Sequence, residues 1–273
     1  MTPRLQTALS HARDTRAIAL GTGVLREVPA LFKEQFPGST ARVIADPRTF
    51  RAAGADVQAG LTAAGLAGGE PLLLEEEALI AEIRHVETLT AHLAEGSDIP
   101  VAVGAGTIND LVKLAAERVG RPYLVVGTAA SMDGYTSFGA SILYKGNKQT
   151  MACAAPRAVA ADLDVIRRAP SPLVAWGYAD LMAKVVSGAD WILAEALGVE
   201  AIHPVAWSLV QGELASALTE PEALVRGDAA AFGRLVEGLM MSGLAMQYTG
   251  TSRPASGAEH QFSHLWDMEH HVY

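Results

Sequence analysis

One cysteine, no excess of basic residues and no long apolar run characterise the sequence. Cys153 is the single cysteine among 273 residues, which excludes an internal disulfide framework and favours a reducing compartment, the cytoplasm. Lysine and arginine number 21 against 30 acidic residues, so the net charge of -9 offers no electrostatic footprint for nucleic acid. No uninterrupted apolar run is long enough to cross a bilayer, and residues 1–16 contain no apolar leader segment. The composition therefore predicts a soluble protein without a nucleic-acid or membrane partner.

The first part of the chain alternates two kinds of segment. Half of all residues are hydrophobic, which suffices for a large core and favours two medium domains over a single large one. From about Arg16 to about Leu163, short apolar runs bounded by glycine and proline alternate with alanine-rich amphipathic segments. The runs predict strands buried on both faces, with covering helices between them, as in a Rossmann-like parallel sheet. The predicted strands are AIALG, ARVIAD, PLLLE, IPVAVG and YLVVGT.

The pattern changes after DLDVIRRAP, where long segments have helical periodicity. Pro170 and Pro172 mark the boundary, because proline interrupts regular elements. The predicted helices are LVAWGYADLMAKVVSGADWILAEALG, HPVAWSLVQGELASAL, DAAAFGRLVEGLMMSGLAMQY and GAEHQFSHLWDMEHHVY. We therefore predict an α/β nucleotide-binding domain over residues 1–165 and an all-α domain over residues 166–273.

A glycine-rich turn, GAGTIND over residues 104–110, joins the predicted strand IPVAV to the next helix. Glycine lets the backbone approach a phosphate, and the free amides of a helix N-terminus favour an anion. The turn lacks the third glycine of the dinucleotide fingerprint, and a tight strand-to-helix turn needs glycine for its dihedral angles alone. Asp46 ends the strand ARVIAD, where its carboxylate either accepts hydrogen bonds from a ribose or serves an ordinary turn. Both interpretations stay open at this point.

A second loop, TAASMDGYTS over residues 128–137, follows the strand YLVVG. It places small hydroxyl-bearing residues around one carboxylate, Asp133. The carboxyl end of a sheet strand is where open α/β folds bind ligands. Together the two loops predict a cofactor with phosphates and a polyhydroxyl partner beside it.

Histidines accumulate near the end of the sequence, in SGAEHQFSH and the residues after it. Ser256 and Glu259 predict a capping box, so a helix would begin just ahead of His260. Residues four apart share one helix face. That face carries His260, His264, Asp267 and His271. Imidazoles on one face can ligate a divalent metal, although such a pair is also common on a solvated helix face.

Asp180 is the candidate carboxylate ligand for such a metal. It lies with Lys184 and Ser187 along one face of a helix that is otherwise apolar. A buried aspartate without a partner is costly, so a metal or a lysine has to compensate its charge. A simple Asp180–Lys184 ion pair is the alternative to a metal site.

These residues, in this order, closely resemble the sn-glycerol-1-phosphate dehydrogenase family, within the superfamily of iron-dependent alcohol dehydrogenases, glycerol dehydrogenase and dehydroquinate synthase. The resemblance covers almost the whole chain, through ALGTGVLREVP, GAGTIND, TAASMDGYTS, ADLDVIRRAP, GYADLMAK and GAEHQFSH. TAASMDGY with GYADLMAK is specific to the glycerol-phosphate branch, whereas GAGTIND occurs across the superfamily. The resemblance implies a dehydroquinate-synthase-like fold with the active site between the two domains. It also implies a homo-oligomeric enzyme that reduces dihydroxyacetone phosphate with NADH or NADPH and a divalent metal, zinc first, nickel or iron otherwise.

Carried over residue by residue, the resemblance gives most of these positions a role. Asp46 and Gly104, at the strand ends, are already candidate dinucleotide ligands. The resemblance adds further dinucleotide ligands, and it places Ser137 near the nicotinamide. The dinucleotide ligands are Gly106, Thr107, Ile108, Asn109, Asp110, Thr128, Ala129, Ala130 and Ser131. Metal would be bound by Asp180 and His260. Substrate would be contacted by Asp133, Asp180 and His264, of which Asp133 and His264 are catalytic. Lys184, a further catalytic candidate, and Arg253 are the cations that could pair with the substrate phosphate.

The sequence departs from the family pattern at its end. The family supplies a third metal ligand, a histidine followed by glycine, after this helix, whereas the sequence stops at Tyr273 before any such motif. We expect a truncated or partial sequence, because the apolar side chains of the last helix would have too little to pack against. Those side chains are Phe262, Leu265, Trp266 and Met268. Replacement of the missing ligand by His270 or His271 is the alternative.

The implied reaction uses the metal as a Lewis acid on the C2 carbonyl, with the proton delivered through His264 or a metal-bound water. Two other functions stay open. A dehydroquinate-synthase-like cyclase would use the same fold and NAD without net consumption of NADH, but its metal site has glutamate where this sequence has Asp180. A non-catalytic remnant that binds dinucleotide and no metal is suggested by the missing ligand.

Overall fold

A computed structural model describes residues 1–269, with the side chain of Asp267 excepted. Within that range the strands, in chain order, are β1 (Ala17–Gly21), β2 (Ala41–Ala45), β3 (Leu72–Leu73), β4 (Ile99–Gly104), β5 (Leu124–Gly127), β6 (Ala140–Tyr144), β7 (Asn147–Met151) and β8 (Ala158–Asp162). Six of them form a parallel sheet in the order β1-β8-β5-β4-β2-β3. The other two, β6 and β7, form an antiparallel hairpin.

The helices of the described chain cover the sheet and then extend beyond it. They are α1 (Pro3–Ser10), α2 (Val28–Gln35), α3 (Pro47–Thr49), α4 (Ala55–Ala63), α5 (Ile83–Ala94), α6 (Gly106–Arg118), α7 (Leu163–Ile166), α8 (Ser171–Ala196), α9 (Pro204–Gln211), α10 (Leu214–Ala217), α11 (Pro221–Val225), α12 (Ala229–Thr249) and α13 (Ala258–Met268). A 3₁₀ turn over Val24–Glu27 precedes α2, and a π-helical turn over Phe50–Gly54 joins α3 to α4.

The central strands are buried on both faces, which is why they are apolar apart from Asp162 at the end of β8. Every residue of β4, β5 and β8 is buried. Alternate residues point to opposite faces, so Val125 belongs to one core cluster while Leu124 and Val126 belong to the other. The second cluster is closed by α2 and α4. The first continues through α5 and α6 into α8, α9 and α12, and thereby joins the sheet to the helical part of the chain.

The long helices of the chain follow Pro170. Pro170 precedes α8, and the 26 residues of that helix run from Ser171 to Ala196. The first helix, α1, contacts α12, so it packs on the helical part although it precedes the sheet in sequence. No helix among the described residues is both long and apolar enough to cross a membrane.

Several elements differ from the sequence-based expectation. The strands β6, β7 and β8 were not predicted. NKQTM of β7 is polar, and AVAAD of β8 has a single β-branched residue, Val159, and no aromatic one. The predicted strand PLLLE is confined to Leu72–Leu73. On α13, Phe262 is 57% exposed and Trp266 46% exposed, so this helix leaves apolar side chains uncovered within the described chain.

Candidate active site

A buried lysine joins two carboxylates at the centre of the candidate site. Lys184, on α8, is fully buried, and its Nζ lies 2.7 Å from Oδ1 of Asp180, one turn earlier on the same helix. The same ammonium lies 2.9 Å from Oδ2 of Asp133, in the loop after β5. The backbone N–H of Asp133 donates to Oδ2 of Asp180 at 2.9 Å, and Ser242 Oγ donates to Oδ2 of Asp133 at 2.8 Å. Three elements, the loop, α8 and α12, therefore converge on one charged cluster.

The charges of this cluster depend on one another. Burial disfavours the charged ammonium of Lys184, but Asp133 and Asp180 together outweigh it, and the pKa of Lys184 is raised. Burial also disfavours the Asp133 carboxylate, yet the Lys184 charge and the hydrogen bonds from Lys184 and Ser242 lower its pKa. Burial and then the negative charge of Asp133 raise the pKa of Asp180. Lys184 is thus a stable cation at neutral pH, held between two acids of unequal strength.

His260 brings α13 to the same cluster. Its Nε2 lies 3.6 Å from Oδ1 of Asp180, and its Nδ1 lies 2.8 Å from Oε1 of Glu259. His264 is one turn further along the helix, half-buried, with its ring centroid 6.2 Å from that of His260. The structure therefore brings together four of the predicted residues, namely Asp133, Asp180, Lys184 and His260.

Asp180 and His260 fit two positions of a metal ligand set. Ligands bound to zinc at about 2.1 Å on two tetrahedral corners lie about 3.4 Å apart. The 3.6 Å between Asp180 Oδ1 and His260 Nε2 matches such an edge. No group of three His, Cys, Asp or Glu side chains within the described residues is arranged to hold a metal. The alternative ligands His270 and His271, and the side chain of Asp267, lie outside the described residues.

The helix that carries His260 begins as expected but is capped differently. The first residue of α13 is Ala258, and its N–H donates to Oδ2 of Asp190 on α8 at 2.8 Å. Glu259 Oε1 accepts from the N–H of Gly257 at 3.0 Å. The predicted Ser256–Glu259 capping box is therefore replaced by a cap from Asp190, which also fixes α13 to α8. This contact could not be predicted because it spans 68 residues.

The predicted dinucleotide residues fall into two groups. Asp46, Thr107 and Ile108 line a cleft of about 520 Å³ at the carboxyl ends of β2 and β4. Ala105, the N-cap of α6, also lines it and offers no side-chain cap, so the N-terminus of α6 is suited to an anion. One oxygen of Asp46 accepts from the N–H groups of Arg48 and Thr49, at 2.7 and 3.0 Å, as an N-cap. The ribose and turn interpretations of Asp46 are thus compatible with each other.

Other predicted dinucleotide residues face the second loop. Asn109 is buried, and its Nδ2 donates to the carbonyl of Gly134 at 3.1 Å. Asp110 Oδ2 accepts from the N–H of Ser141 at 3.0 Å. Ser137 is 6% exposed, and its Oγ donates to the carbonyl of Gly134 at 3.1 Å. The observed contacts of these three side chains organise the loop that carries Asp133.

The two loops are joined at the carboxyl ends of β4 and β5. Tyr135 is buried, and its hydroxyl lies 3.1 Å from the carbonyl of Gly104 and 2.9 Å from that of Ala129. A side chain at Gly127 would lie 2.9 Å from the Tyr135 ring, so glycine provides the space for it. Thr128 donates its N–H to Gly104 at 3.1 Å.

The remaining residues of the 128–131 segment are enclosed or partly enclosed. Thr128, Ala129 and Ala130 are buried, and Ser131 is half-buried. A Cβ at Gly106 would lie 3.3 Å from the side chain of Met132, so this loop covers the start of α6. The burial of residues 128–130 is consistent with their small side chains.

Arg253 lies apart from the Lys184 cluster in its observed contacts. Its Nη2 donates to the carbonyl of Asp190 at 2.9 Å, and its Nε lies 3.1 Å from Oε2 of Glu200. These contacts fix the turn before α13 to α8 and to the segment that follows α8.

Sequence reasoning missed Ser242 and Tyr135 as site residues. Ser242 lies in the apolar run GLMMSGLAM, where a lone serine gives no signal of a partner 109 residues away. Tyr135 stands inside the predicted loop, and a single aromatic residue among small ones was the available signal.

The sequence is similar to that of proteins of a known family. The family model described as iron-containing alcohol dehydrogenase matches residues 19–170. A glycerol-1-phosphate dehydrogenase (NAD(P)+) of Bacillus subtilis (strain 168) is 37% identical over 229 residues, which are 83% of this chain and 58% of the relative. One of the same name from Pyrococcus horikoshii is 34% identical over 260 residues, 93% of this chain and 72% of the relative. The chain thus spans little more than half the length of its Bacillus relative.

Solved structures share the fold at low identity. Glycerol dehydrogenase from Schizosaccharomyces pombe matches with a TM-score of 0.67 at 20% identity, over 86% of this chain and 61% of that one. Sulfoacetaldehyde reductase from Bifidobacterium kashiwanohense, in complex with NAD+, matches with a TM-score of 0.72 at 16% identity, over 93% of this chain and 70% of that one. Since the family match spans more than half of the residues, this chain belongs to the iron-containing alcohol dehydrogenase family.

Proposed function

We propose that this chain carries the cofactor cleft and substrate site of an NAD(P)H-linked, metal-dependent reductase that converts dihydroxyacetone phosphate reversibly to sn-glycerol 1-phosphate. The names of the relatives at 34% and 37% identity support the substrate. The observation that carries the proposal is the buried Lys184 between Asp133 and Asp180, with His260 beside Asp180. This arrangement suits a small polyhydroxyl substrate whose carbonyl has to be oriented. The charged side chains of the cluster are buried and so are kept apart from water.

Asp133 is the residue that we assign to the substrate. Its Oδ2 is engaged by Lys184 and Ser242. The pKa of Asp133 is lowered, because burial is outweighed by Lys184 and the two hydrogen bonds, so the side chain is an acceptor. An ionised carboxylate can accept hydrogen bonds from substrate hydroxyl groups on its remaining lone pairs. Asp133 therefore orients the substrate.

Asp180 and His260 would hold the divalent metal. When bound, the metal supplies Lewis-acid polarisation of the carbonyl, and the dinucleotide supplies the hydride. The residues of this chain contribute the fixed positions of both groups: Asp180 on α8, His260 on α13, and the cleft at α6. Zinc, nickel or iron would occupy this position.

His264 is the residue that we assign to the proton. It lies one helical turn from His260 and is half-buried, so its imidazole can exchange a proton with solvent and with a bound alcohol oxygen. Lys184 is a poor choice for the same task, because its raised pKa keeps the proton on the ammonium. Burial alone would lower the pKa of Lys184, but the negative charges of Asp133 and Asp180 outweigh this effect and raise it.

The phosphate of the substrate needs a cation other than Lys184. The Lys184 ammonium already contacts two carboxylates, and a phosphate brought beside them would be repelled. Arg253 stays the predicted phosphate cation. To bind phosphate it would exchange its contacts with Asp190 and Glu200 for phosphate oxygens.

The cofactor is proposed to lie in the cleft at β2 and β4, with its pyrophosphate at the N-terminus of α6. Asp46 lines the same cleft and would accept hydrogen bonds from the ribose. A cytoplasmic location and a homo-oligomeric state stay predictions from the sequence and from its family resemblance.

Turnover of the full-length protein tests the proposal. After chelation and reloading with zinc, nickel or iron, the protein should oxidise NADH or NADPH on addition of dihydroxyacetone phosphate, in stoichiometric amount. The product should be inert to a dehydrogenase specific for sn-glycerol 3-phosphate. Dinucleotide binding without net oxidation in any metal-loaded form would contradict the reductase and leave a cyclase or a non-catalytic binder.

A further inference from the structure

We propose that Lys113 is a positioning residue, whose buried ammonium holds the loop of residues 134–139 so that Asp133 stays against Lys184 and Asp180. The proposal rests on the proposed function, in which Asp133 contacts the substrate. Lys113 lies on α6, the helix whose N-terminus lines the cofactor cleft. It thus links the cofactor side of the site to the substrate side.

The contacts of Lys113 are almost entirely with backbone carbonyls. Its side chain is fully buried, and Nζ lies 3.0 Å from the carbonyl of Gly134, 2.9 Å from that of Ser137 and 2.9 Å from that of Gly139. An ammonium has three N–H donors, and these three carbonyls match them in number. Asp110 Oδ1 lies 3.9 Å away, beyond hydrogen-bonding distance. The main contacts of the Lys113 ammonium are therefore its hydrogen bonds to the loop, and its ion pair with Asp110 is secondary.

A lysine in this position is costly unless the loop requires it. Burying a cation in an apolar environment is unfavourable, and an apolar side chain of similar length would pack in the same space at lower cost. Three carbonyls that converge on one point, however, need a donor that reaches all of them at once. The neutral donor Asn109, also on α6, reaches only the carbonyl of Gly134 among them, at 3.1 Å.

The same face of α6 holds the end of the loop. Asp110 Oδ2 accepts from the N–H of Ser141 at 3.0 Å. The side chains of residues 109, 110 and 113 therefore form hydrogen bonds with the segment from residue 134 to residue 141. A helix is rigid on the scale of these contacts, so the loop takes its position from α6.

The opposite side of the loop carries the chemistry. The Asp133 N–H donates to Asp180, and the Asp133 carboxylate contacts Lys184 and Ser242. Thr136 Oγ1 donates to the carbonyl of Met240 at 2.7 Å. Asp133 is adjacent in sequence to Gly134, the first carbonyl that Lys113 binds. Release of that carbonyl would let Asp133 move, and a displacement of about 1 Å in a catalytic group costs on the order of 100-fold in rate.

Lys113→Met in the full-length protein tests the proposal, because methionine keeps the length and apolar character of the side chain. We expect kcat/KM for dihydroxyacetone phosphate to fall by about 100-fold, with a raised KM for this substrate. NADH affinity, measured by fluorescence titration, should be unchanged. Backbone amides of residues 133–141 should exchange with solvent about tenfold faster or more, measured by hydrogen-exchange mass spectrometry.

Leu114→Ala is the matched control, because Leu114 is a buried apolar neighbour on the same helix. It should lower the melting temperature while the KM for the substrate and the relative protection of residues 133–141 stay as in the wild type. Lys113→Gln keeps a donor without the charge, and we expect loop exchange between that of wild type and Lys113→Met. This second variant decides the question if Lys113→Met does not fold.

Two results would overturn the proposal. One is a Lys113→Met protein, or failing that Lys113→Gln, whose loop exchange and substrate KM equal those of the wild type, which would make the lysine a packing residue. The other is a Lys113→Met protein that loses protection from hydrogen exchange throughout α6 and the sheet, to the same extent as Leu114→Ala. A wild-type protein without turnover on dihydroxyacetone phosphate would contradict the proposed function alone, since the exchange comparison needs no substrate.

Discussion

Lys184 and Asp133 are in contact although they belong to different parts of the fold: Nζ of the lysine, on α8, lies 2.9 Å from Oδ2 of the aspartate, in the loop after β5. Asp180 binds the same ammonium from the other side. The sequence places Asp180 and Lys184 on one helix face, so their pairing was foreseeable. The contact with Asp133 makes the pair a junction between the helical part of the chain and the sheet.

Lys184→Met should destabilise the protein and abolish turnover. Removing the ammonium leaves two carboxylates close together without compensation, and breaking a buried charge cluster in this way costs about 3–5 kcal/mol. Urea unfolding measures the loss of stability. Lys33→Met, a change of an exposed lysine on α2, is the control and should leave stability within about 0.5 kcal/mol of the wild type. Equal midpoints for the two variants would show that the cluster is not a source of stability.

Asp180→Asn and His260→Ala should each weaken metal binding by more than about 100-fold, since even indirect partners of a ligand are worth about 10–100-fold. Elemental analysis after dialysis measures the metal. NADH affinity should stay close to that of the wild type, because the cleft at β2 and β4 is formed by other residues. Loss of NADH binding together with metal in both variants would refute this division of roles.

Asp133→Ala and His264→Ala should behave differently from the ligand variants. Both should retain metal and NADH, while kcat/KM for dihydroxyacetone phosphate falls by about 100-fold or more, because these residues orient the substrate or transfer its proton. Metal content is the decisive measurement for His264. If His264→Ala loses metal as completely as His260→Ala, then His264 is a ligand.

The fold could be predicted further than the site. Apolar runs bounded by glycine and proline identified five strands of the sheet, because burial on both faces requires such runs. The strand β8 escaped notice because AVAAD is small and alanine-rich, although it lies between β1 and β5. Short-range patterns also placed Asp180 and Lys184 together.

Long-range polar contacts could not be predicted from local pattern. Lys113 stands in a helix with ordinary amphipathic spacing, and nothing in DLVKLAAER indicates that its ammonium meets carbonyls 21 to 26 residues later. The family resemblance implies that Asn109 and Asp110, at the end of the segment GAGTIND, bind the cofactor. Their observed hydrogen bonds go to the 134–141 segment, because the first helical turn directs these side chains inward.

Cys153 should resist thiol reagents in the folded protein. The thiol is buried, and burial raises its pKa to about 12, despite an opposing effect of the Lys113 charge. At pH 8 only about one thiol in 10,000 would be ionised, and the thiolate is the reactive form. Titration with a chromogenic disulfide should detect no fast-reacting thiol in the native protein and one thiol in guanidinium chloride. A fast reaction of the native protein would mean that the hairpin β6–β7 and the segment after it open readily.

Gly177→Ala should destabilise the junction between α8 and the loop after β5. A Cβ at Gly177 would lie 1.9 Å from the carbonyl oxygen of Ala130, which is backbone and cannot move aside as a flexible side chain would. Overpacking of this kind costs about 1–3 kcal/mol, and the displaced loop also carries Asp133. We expect a lower unfolding midpoint and a lower kcat/KM together.

Gly233→Ala is the matched control for this change, because it replaces a helical glycine of α12 whose added Cβ would meet Leu163 at an ordinary 3.8 Å. Alanine favours a helix over glycine by up to about 1 kcal/mol, so this variant should be as stable as the wild type or more stable. Urea unfolding of both variants separates the general effect of alanine from the local clash. If Gly177→Ala were stabilised as much as Gly233→Ala, then α8 would not approach the Ala130 backbone closely, and the geometry that brings Asp180 to Asp133 would have to be different.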